Sequence, residues 1–184
     1  MAVKGKIISN PHTGQTIRFI RTSRDTNGAL LEMESSFAPY SKEPIPHYHP
    51  IQDEVFFVME GSLSVRINNE VKIFRKGEKV ELPAYTIHSM WNHTAGKTIV
   101  NWKVQPALQT EAFLETAMGL ATDNRVNRKG MPSILQTSLL IKKFSNEIRL
   151  AKPSALIQKI VFNALAPVAK LAGYKEFYPE YVDE

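Results

Sequence analysis

The chain has 184 residues, of which 43% are hydrophobic, and its formal net charge is +5. This length and apolar content exclude a chain that is disordered throughout and allow one domain with an appendage. Cysteine is absent, which excludes disulfides and thiolate ligands, so any metal would be bound by imidazole, carboxylate or backbone oxygen. The sequence shows neither a secretory signal nor an apolar run long enough to span a membrane, and we therefore expect a cytoplasmic protein.

The positive charge is concentrated in one segment of the chain. Residues 121–159 contain eight basic and two acidic side chains, whereas residues 1–106 contain 13 basic and 10 acidic ones. Such an excess can face nucleic acid, an anionic membrane or an acidic partner. No aromatic or glycine-rich nucleic-acid module accompanies it, so we expect no nucleic-acid partner and interpret the excess as the solvated face of a helical segment.

The first half of the chain has the pattern of β-strands. From residue 16 to residue 104 apolar and polar positions alternate, as in strands with one wet face, and residues 31–37 show this clearly. Residues 61–74 predict a hairpin that turns at Asn68–Asn69. Many short strands with Gly, Asn and Pro between them predict a mainly β fold, in the form of a closed or sandwiched antiparallel barrel.

The period changes to that of a helix in the second half. Apolar residues recur at helical spacing in residues 109–123, 134–148 and 154–171. The sequence therefore predicts a β domain over residues 1–106 and a helical C-terminal extension over residues 107–184.

The third predicted helix has a wide apolar stripe. This stripe must pack against another surface, because in contact with water it would expose a large apolar patch. That surface could be the protein's own barrel, a second copy of the chain or the headgroup region of an anionic membrane. Lys159 and Lys170 are the only charges on this helix, which is sparse for a membrane anchor, and barrel faces and edges also need covering. We therefore expect the extension to pack on a barrel, in its own subunit or across a homodimer, and do not favour peripheral membrane contact.

Four side chains in the β half are of the types that bind metal ions. His47 and His49 are one residue apart, so on a strand they point to the same face. Glu54 and His88 each open a further predicted strand, so the four side chains could converge. Their donor atoms suit Fe(II), Mn(II), Co(II), Ni(II), Cu(II) or Zn(II). The alternative is that each histidine is an ordinary imidazole with a backbone partner.

These residues lie in two stretches that resemble a known family. Residues 47–61 read His-x-His-x4-Glu-x6-Gly, and residues 77–92 read Gly-x5-Pro-x4-His-x3-Asn. Together they resemble the two motifs of the cupin superfamily, small β-barrels that hold a metal ion. The resemblance implies an antiparallel cupin β-barrel (double-sheet jelly roll) with one divalent metal ion, followed here by a helical region outside the motifs. It implies ligands at His47, His49, Glu54 and His88. Ser41 and Tyr85 stand where the family usually has glycine, which affects loop geometry rather than the ligands.

The parity of the strands predicts a largely apolar and aromatic pocket wall. The residues predicted to point inward are Met33, Phe37, Phe56, Val58, Met90 and Trp102. A wall of this kind favours a small aromatic or ketonic ligand over a sugar phosphate, which would call for several Arg or Lys inside.

Other polar residues near the predicted site are interpreted as ordinary. His12 and His93 lie in turn-like contexts and are not expected to bind metal. Gln52, Tyr40 and Tyr85 are placed on loops near the mouth of the barrel, where a surface position is more common than a catalytic one.

The sequence leaves three functions open, because a fold does not imply a function. The first is a metal-dependent enzyme, an oxygenase or isomerase acting on a small molecule. The second is a non-catalytic ligand-binding or sensor protein whose helical extension mediates dimerisation or contact with a partner. The third is a barrel that the metal ion only braces.

Overall fold

Two antiparallel sheets and three α-helices make up the chain in the computed structural model, which describes residues 2–183. Met1 and Glu184, the outer ends of the two predicted domains, lie outside the described residues. The strands are β1 (Ile7–Asn10), β2 (Gln15–Arg21), β3 (Leu31–Phe37), β4 (His47–Tyr48), β5 (Asp53–Glu60), β6 (Ser62–Ile67), β7 (Glu70–Arg75), β8 (Lys79–Leu82), β9 (His88–Trp91), β10 (Thr98–Gln105) and β11 (Arg149–Leu150). The helices are α1 (Thr110–Thr122), α2 (Ile134–Lys143) and α3 (Ala155–Leu171), followed by a short 3-10 helix at Pro179–Tyr181.

The two sheets enclose the main hydrophobic core. One has the strand order β1-β2-β3-β10-β5-β8 and the other β11-β4-β9-β6-β7. Phe56 of the first sheet and Leu63 of the second are fully buried in the same cluster. Burying each such side chain stabilises the fold by roughly 1.5–3 kcal/mol. The predicted fold class, an antiparallel double-sheet barrel followed by helices, is confirmed.

The strand predictions are confirmed where the alternation is clear. In β3 the alternate residues are buried and those between them are half-buried. The predicted hairpin is β6-β7, and Asn68 in its turn has a φ of +55°, which Asn tolerates better than most residues. Val71 and Ile73 on β7 are exposed, because β7 is an edge strand of its sheet.

Gly61, the glycine that ends the first motif, occupies the tight turn between β5 and β6. Its φ is +74°, and a Cβ atom there would lie 2.5 Å from the carbonyl oxygen of Lys97. Both the backbone conformation and the lack of space therefore require glycine at this position.

Three features of the chain differ from the sequence-based expectation. Strand β1 precedes residue 16, where the predicted alternation starts. Helix α2 ends at Lys143, so Ile148 lies beyond it. The next residues form β11, which pairs with β4. A two-residue strand has no period of its own and forms only because β4 offers it hydrogen bonds. The division of the chain at residue 106 stays a prediction.

Within the helical extension, α1 packs on the barrel of its own chain, whereas α3 packs on α2. Leu114 and Met118 of α1 belong to the barrel core. A second cluster joins Phe144 to Phe162 of α3 and to Tyr178 near the C-terminus.

The expectation that the barrel of the same chain covers the apolar stripe of the third helix was wrong, because Ile157, Ile160 and Leu171 of that stripe are exposed. Within residues 2–183, the structure contains no helix with the length and apolar character needed to cross a membrane.

Candidate metal centre

Three histidine rings meet where β4 lies beside β9. His47 on β4 is the register partner of His88 on β9, and their ring centroids are 4.6 Å apart. The ring of His49 lies 5.2 Å from that of His47 and 5.3 Å from that of His88. One potential ligand atom of each histidine lies within 4.8 Å of those of the other two. The three side chains could therefore hold a single metal ion.

The hydrogen bonds of the rings determine which nitrogen is available. The Nδ1–H of His47 donates to the carbonyl oxygen of Ile45 at 3.1 Å, and that of His88 donates to Thr86 at 2.9 Å. The Nδ1–H of His49 donates to the carbonyl oxygen of Glu147. A carbonyl oxygen only accepts, so Nδ1 carries the proton and the neutral ring presents the lone pair of Nε2. A backbone carbonyl on the other nitrogen is the usual arrangement for a metal-binding histidine.

Glu54, on β5 of the opposite sheet, reaches the same point. Its Oε2 atom lies 2.9 Å from Nε2 of His88 and 3.2 Å from Nε2 of His49. Its Oε1 atom accepts a hydrogen bond from Nε1 of Trp102 at 3.0 Å. The hydrogen bond from Trp102 thus fixes one carboxylate oxygen of Glu54, and the other oxygen faces the histidines.

The potential ligand atoms that converge at this point are buried but do not form hydrogen bonds with one another. Within residues 2–183, Nε2 of His49, Nε2 of His88 and Oε2 of Glu54 have no partner in hydrogen-bond geometry. An unsatisfied buried polar atom costs about 1–3 kcal/mol, and more when it is charged. Three such atoms around one point are the arrangement that a bound cation would satisfy, so these residues fit a metal ion.

The charge states at the cluster also suit a cation. Burial, aided by the neighbouring His88 and His49, lowers the pKa of His47 to about 3, so this ring is neutral. Burial alone would raise the pKa of Glu54, but the charges of His49 and His88 hold it well below its usual value. Burial likewise opposes the charged form of His49, yet the Glu54 carboxylate raises the pKa of this ring. Metal binding would leave Glu54 ionised and would compete with protonation of His49, whose pKa is raised.

Gln52 supports the loop that carries His49. It was predicted to be a surface residue, and this prediction was wrong because the start of α1 covers the loop. Gln52 is buried, and its Nε2 donates to the carbonyl oxygen of Pro106 at 2.7 Å and to Oγ1 of Thr110 at 2.8 Å. Tyr40 and Tyr85 are exposed.

The remaining two histidines lie outside the cluster. Nδ1 of His93 is 2.5 Å from Oγ of Ser64, and the backbone N–H of His12 donates to Oδ1 of Asn10 at 3.0 Å. His93 therefore has a polar partner, whereas Nε2 of His12 is buried without a hydrogen-bond partner in the described part of the chain, but His12 does not belong to the group of three histidines.

A largely apolar cavity of about 190 Å³ reaches the cluster at His47. Two of the predicted wall residues, Phe37 and Met90, line it. The other four are buried in the core and do not line this cavity, so that their lining of a pocket stays a prediction. These are Met33, Phe56, Val58 and Trp102. Parity along a strand shows which face a residue occupies, but it does not show where along the barrel the cavity opens.

The rest of the cavity wall comes from the helical extension. Apolar side chains of α1, of α2 and of the segment around β11 close it on the side away from the barrel. They are Phe113, Leu114, Ala117, Met118, Leu140, Ile141, Ile148 and Leu150. Lys42 and Lys129, both exposed, contribute to its polar part. The sequence did not identify these residues as part of the cavity wall. Their helical periodicity predicts that they are buried, but it does not show which segment packs against them.

The structure is thus a double-sheet antiparallel barrel with converging histidines and a carboxylate that could hold a divalent ion. Residues 33–102 match the family model described as a cupin domain. Residues 33–102 thus carry a match to the cupin domain, in agreement with the two motifs and with the double-sheet fold.

Several known proteins are similar to this chain. The probable oxidoreductase virH of Hypocrea virens is 25% identical over 154 residues, which cover 77% of this chain and 68% of that protein. The structure of KdgF from Halomonas sp. is similar over 56% of this chain and 89% of its own, with 16% identity and a TM-score of 0.49. A predicted oxalate decarboxylase from Thermotoga maritima covers 58% of this chain and 99% of its own, with 17% identity and a TM-score of 0.49. Structural similarities of this size carry no information about activity.

Proposed function

We propose that this protein binds one divalent metal ion through Nε2 of His47, His49 and His88 and an oxygen of Glu54, and that it acts on a small, mainly apolar molecule in the adjoining cavity. The observation that carries the metal proposal is the convergence of buried, unsatisfied ligand atoms from opposite sheets. A single unpartnered ring nitrogen also occurs at His12, but among the described residues only those at the cluster have such nitrogens facing an unpartnered carboxylate oxygen.

A divalent ion held by these four residues would supply Lewis-acid or oxygen chemistry. The chain's own residues have separate tasks. The three backbone carbonyls hold the imidazole rings in one tautomer, and Trp102 orients Glu54. The apolar wall from α1 and α2 keeps bulk water away from the inner part of the cavity, which strengthens electrostatic interactions there.

The size and lining of the cavity limit the substrate. Liquid water occupies about 30 Å³ per molecule, so a cavity of about 190 Å³ holds only a small organic molecule. Apolar walls favour an aromatic or aliphatic body, and the exposed Lys42 and Lys129 favour a polar or anionic end that faces outward. The description of virH as a probable oxidoreductase supports an oxidation, with isomerisation as the alternative reaction.

Metal binding is tested by comparing two histidine substitutions in the full chain. His49→Ala should strongly reduce the metal content after anaerobic reconstitution, whereas His93→Ala should leave it unchanged, because His93 lies outside the cluster. The measurement is elemental mass spectrometry, with circular dichroism as the check on folding. Loss of metal from His93→Ala and not from His49→Ala would show that the ligand assignment is wrong.

Activity is tested with the reconstituted protein. Oxygen consumption and keto–enol exchange are measured with Fe(II), Mn(II), Co(II) or Ni(II) and a panel of small aromatic and ketonic compounds. The variant Ala117→Leu narrows the cavity and should lower turnover without changing metal content, since Ala117 lines the cavity and is not a ligand. Ala164→Leu, an exposed helical position, is the matched control. Tight metal binding without turnover under any condition would favour the non-catalytic ligand-binding function.

A further inference from the structure

Helix α3 buries only one side. The buried side chains that face the rest of the protein are Gln158, Phe162, Ala166 and Ala169. The opposite side carries six exposed apolar residues, which we call the α3 outer face: Leu156, Ile157, Ile160, Val161, Val168 and Leu171. Leu156 is 68% exposed, Ile160 62% and Leu171 90%. At 100° per residue these six residues cover an arc of about 140°, which is a continuous apolar stripe and not a set of scattered side chains.

A basic groove runs beside this face, between α3 and α2. One cavity of about 380 Å³ is lined by Lys142, Arg149 and Lys159, among others. A neighbouring cavity of about 240 Å³ is lined by Lys142 and Lys170, and the two cavities also share Asn163. Because they share residues, they form one groove with four cationic side chains and one acidic side chain, Glu176.

Most of the charge in the groove is not neutralised by the protein. Lys170 forms an ion pair with Glu176 at 3.0 Å. Lys142 and Lys159 have no ion-pair partner in the part of the chain that the structure describes, residues 2–183. The sequence of α3 contains no acidic residue. The groove and the α3 outer face thus present cationic and apolar groups side by side.

We propose that the α3 outer face and the basic groove form a docking surface for an anionic phospholipid membrane. The apolar stripe lies at the boundary of headgroups and acyl chains, and the groove binds lipid phosphates. An apolar helix face flanked by lysine or arginine is the arrangement that binds such an interface. The contact is peripheral, because no described helix can cross the bilayer.

The charges favour a membrane over a second copy of the chain as the occupant. A second copy seated on the same face would bring one set of groove lysines towards another, and like charges at an interface are unfavourable. No carboxylate on α3 offsets them. The helix alone carries two lysines, which is sparse for an anchor, but the fold adds Lys142 from α2 and Arg149 from β11 to the same surface.

The test is flotation of the full chain with vesicles of phosphatidylcholine alone and of phosphatidylcholine mixed equally with phosphatidylglycerol. We expect binding to the anionic vesicles only, and its loss at about 1 M salt, where charges are screened beyond about 3 Å. Ile160→Asp should abolish binding. Lys142→Gln and Lys159→Gln should each weaken it about fivefold, the factor that corresponds to about 1 kcal/mol per basic residue near the surface.

Matched controls come from the exposed strand β7. Ile73→Asp and Lys72→Gln change the same residue types on another surface and should leave binding unchanged. Circular dichroism and thermal melting establish that each variant is folded. Absence of binding to the anionic vesicles, or equal binding to both vesicle types, would overturn the proposal. A dimer in sedimentation velocity that Ile160→Asp dissociates, without vesicle binding by the unsubstituted chain, would assign the face to a second copy instead.

Discussion

Replacing Trp102 by phenylalanine tests whether Glu54 belongs to the metal centre. The change removes the Nε1–H that donates to Oε1 of Glu54 at 3.0 Å, while both residues stay buried. A phenyl ring can keep the stacking against Phe56, whose ring centroid lies 5.3 Å from that of Trp102. The substitution therefore acts mainly on the support of the carboxylate.

The magnitude follows from the chemistry of that hydrogen bond. A hydrogen bond to a charged group is worth about 1.5–3 kcal/mol, and its loss weakens the ionised form of Glu54 by this amount. Loss of an outer partner of a metal ligand typically lowers metal affinity 10–100-fold, which corresponds to about 1.4–2.8 kcal/mol. The two magnitudes agree, so we expect a 10–100-fold loss of affinity in Trp102→Phe.

The assay is competition for Mn(II) or Zn(II) between the protein and a chelator, with unfolding followed separately by denaturant titration. Trp91→Phe is the matched control, because Trp91 is half-buried and packs against the guanidinium of Arg66 at 5.7 Å. An unchanged metal affinity in a folded Trp102→Phe variant would refute a role for Glu54 and its hydrogen bond in metal binding.

Three further outcomes are expected. Gly61→Ala should lower the free energy of unfolding by at least about 1–2 kcal/mol in denaturant titration, because φ is +74° and the new Cβ would clash with Lys97; Gly96→Ala, where a Cβ meets nothing within 4 Å, should change it little. Metal affinity measured by titration calorimetry should fall as the pH drops through the pKa of His49, which the Glu54 carboxylate raises above the ordinary imidazole value despite burial, because imidazole must be neutral to bind metal; a flat profile would contradict histidine ligation. The hydrogen bond from Arg66, with that from Ser89, lowers the pKa of Glu43, so its stabilisation is present above the unfolded-state value of about 4.3 and is lost as the pH falls through the lower folded-state value. Glu43→Gln should therefore narrow the difference in melting temperature between pH 7 and about pH 3, and an unchanged difference would contradict the linkage.

The strands and the histidine cluster were largely predictable because their signals are local. Alternate burial in β3 is a property of seven consecutive residues. The spacing of His47 and His49 already directs two imidazoles to one region, and the structure brings His88 beside them. The position of Glu54 next to these rings agrees with the motif as well.

The surroundings of the cluster were less predictable. Gln52 was expected on the surface and is buried under the start of α1. Four of the six predicted wall residues are buried in the core and do not line the cavity at His47, part of whose wall is formed by side chains of the extension. A single helix or strand does not encode which remote segment will cover it.

The sequence by itself determined the alternating strands, the candidate metal ligands and the apolar stripes of the helices, since each depends on residues close together in the chain. Only the tertiary structure decided three further features. These are the helical side chains that line the cavity, the carbonyl group that accepts the hydrogen bond of His49, and the groove in which the basic side chains lie. The carbonyl oxygen that accepts the hydrogen bond of His49 belongs to a residue 98 positions further along the chain. Lys142 and Lys159 come to share one groove through the packing of two helices. Contacts over such separations depend on the pairing of whole segments, and no local period in the sequence carries that information.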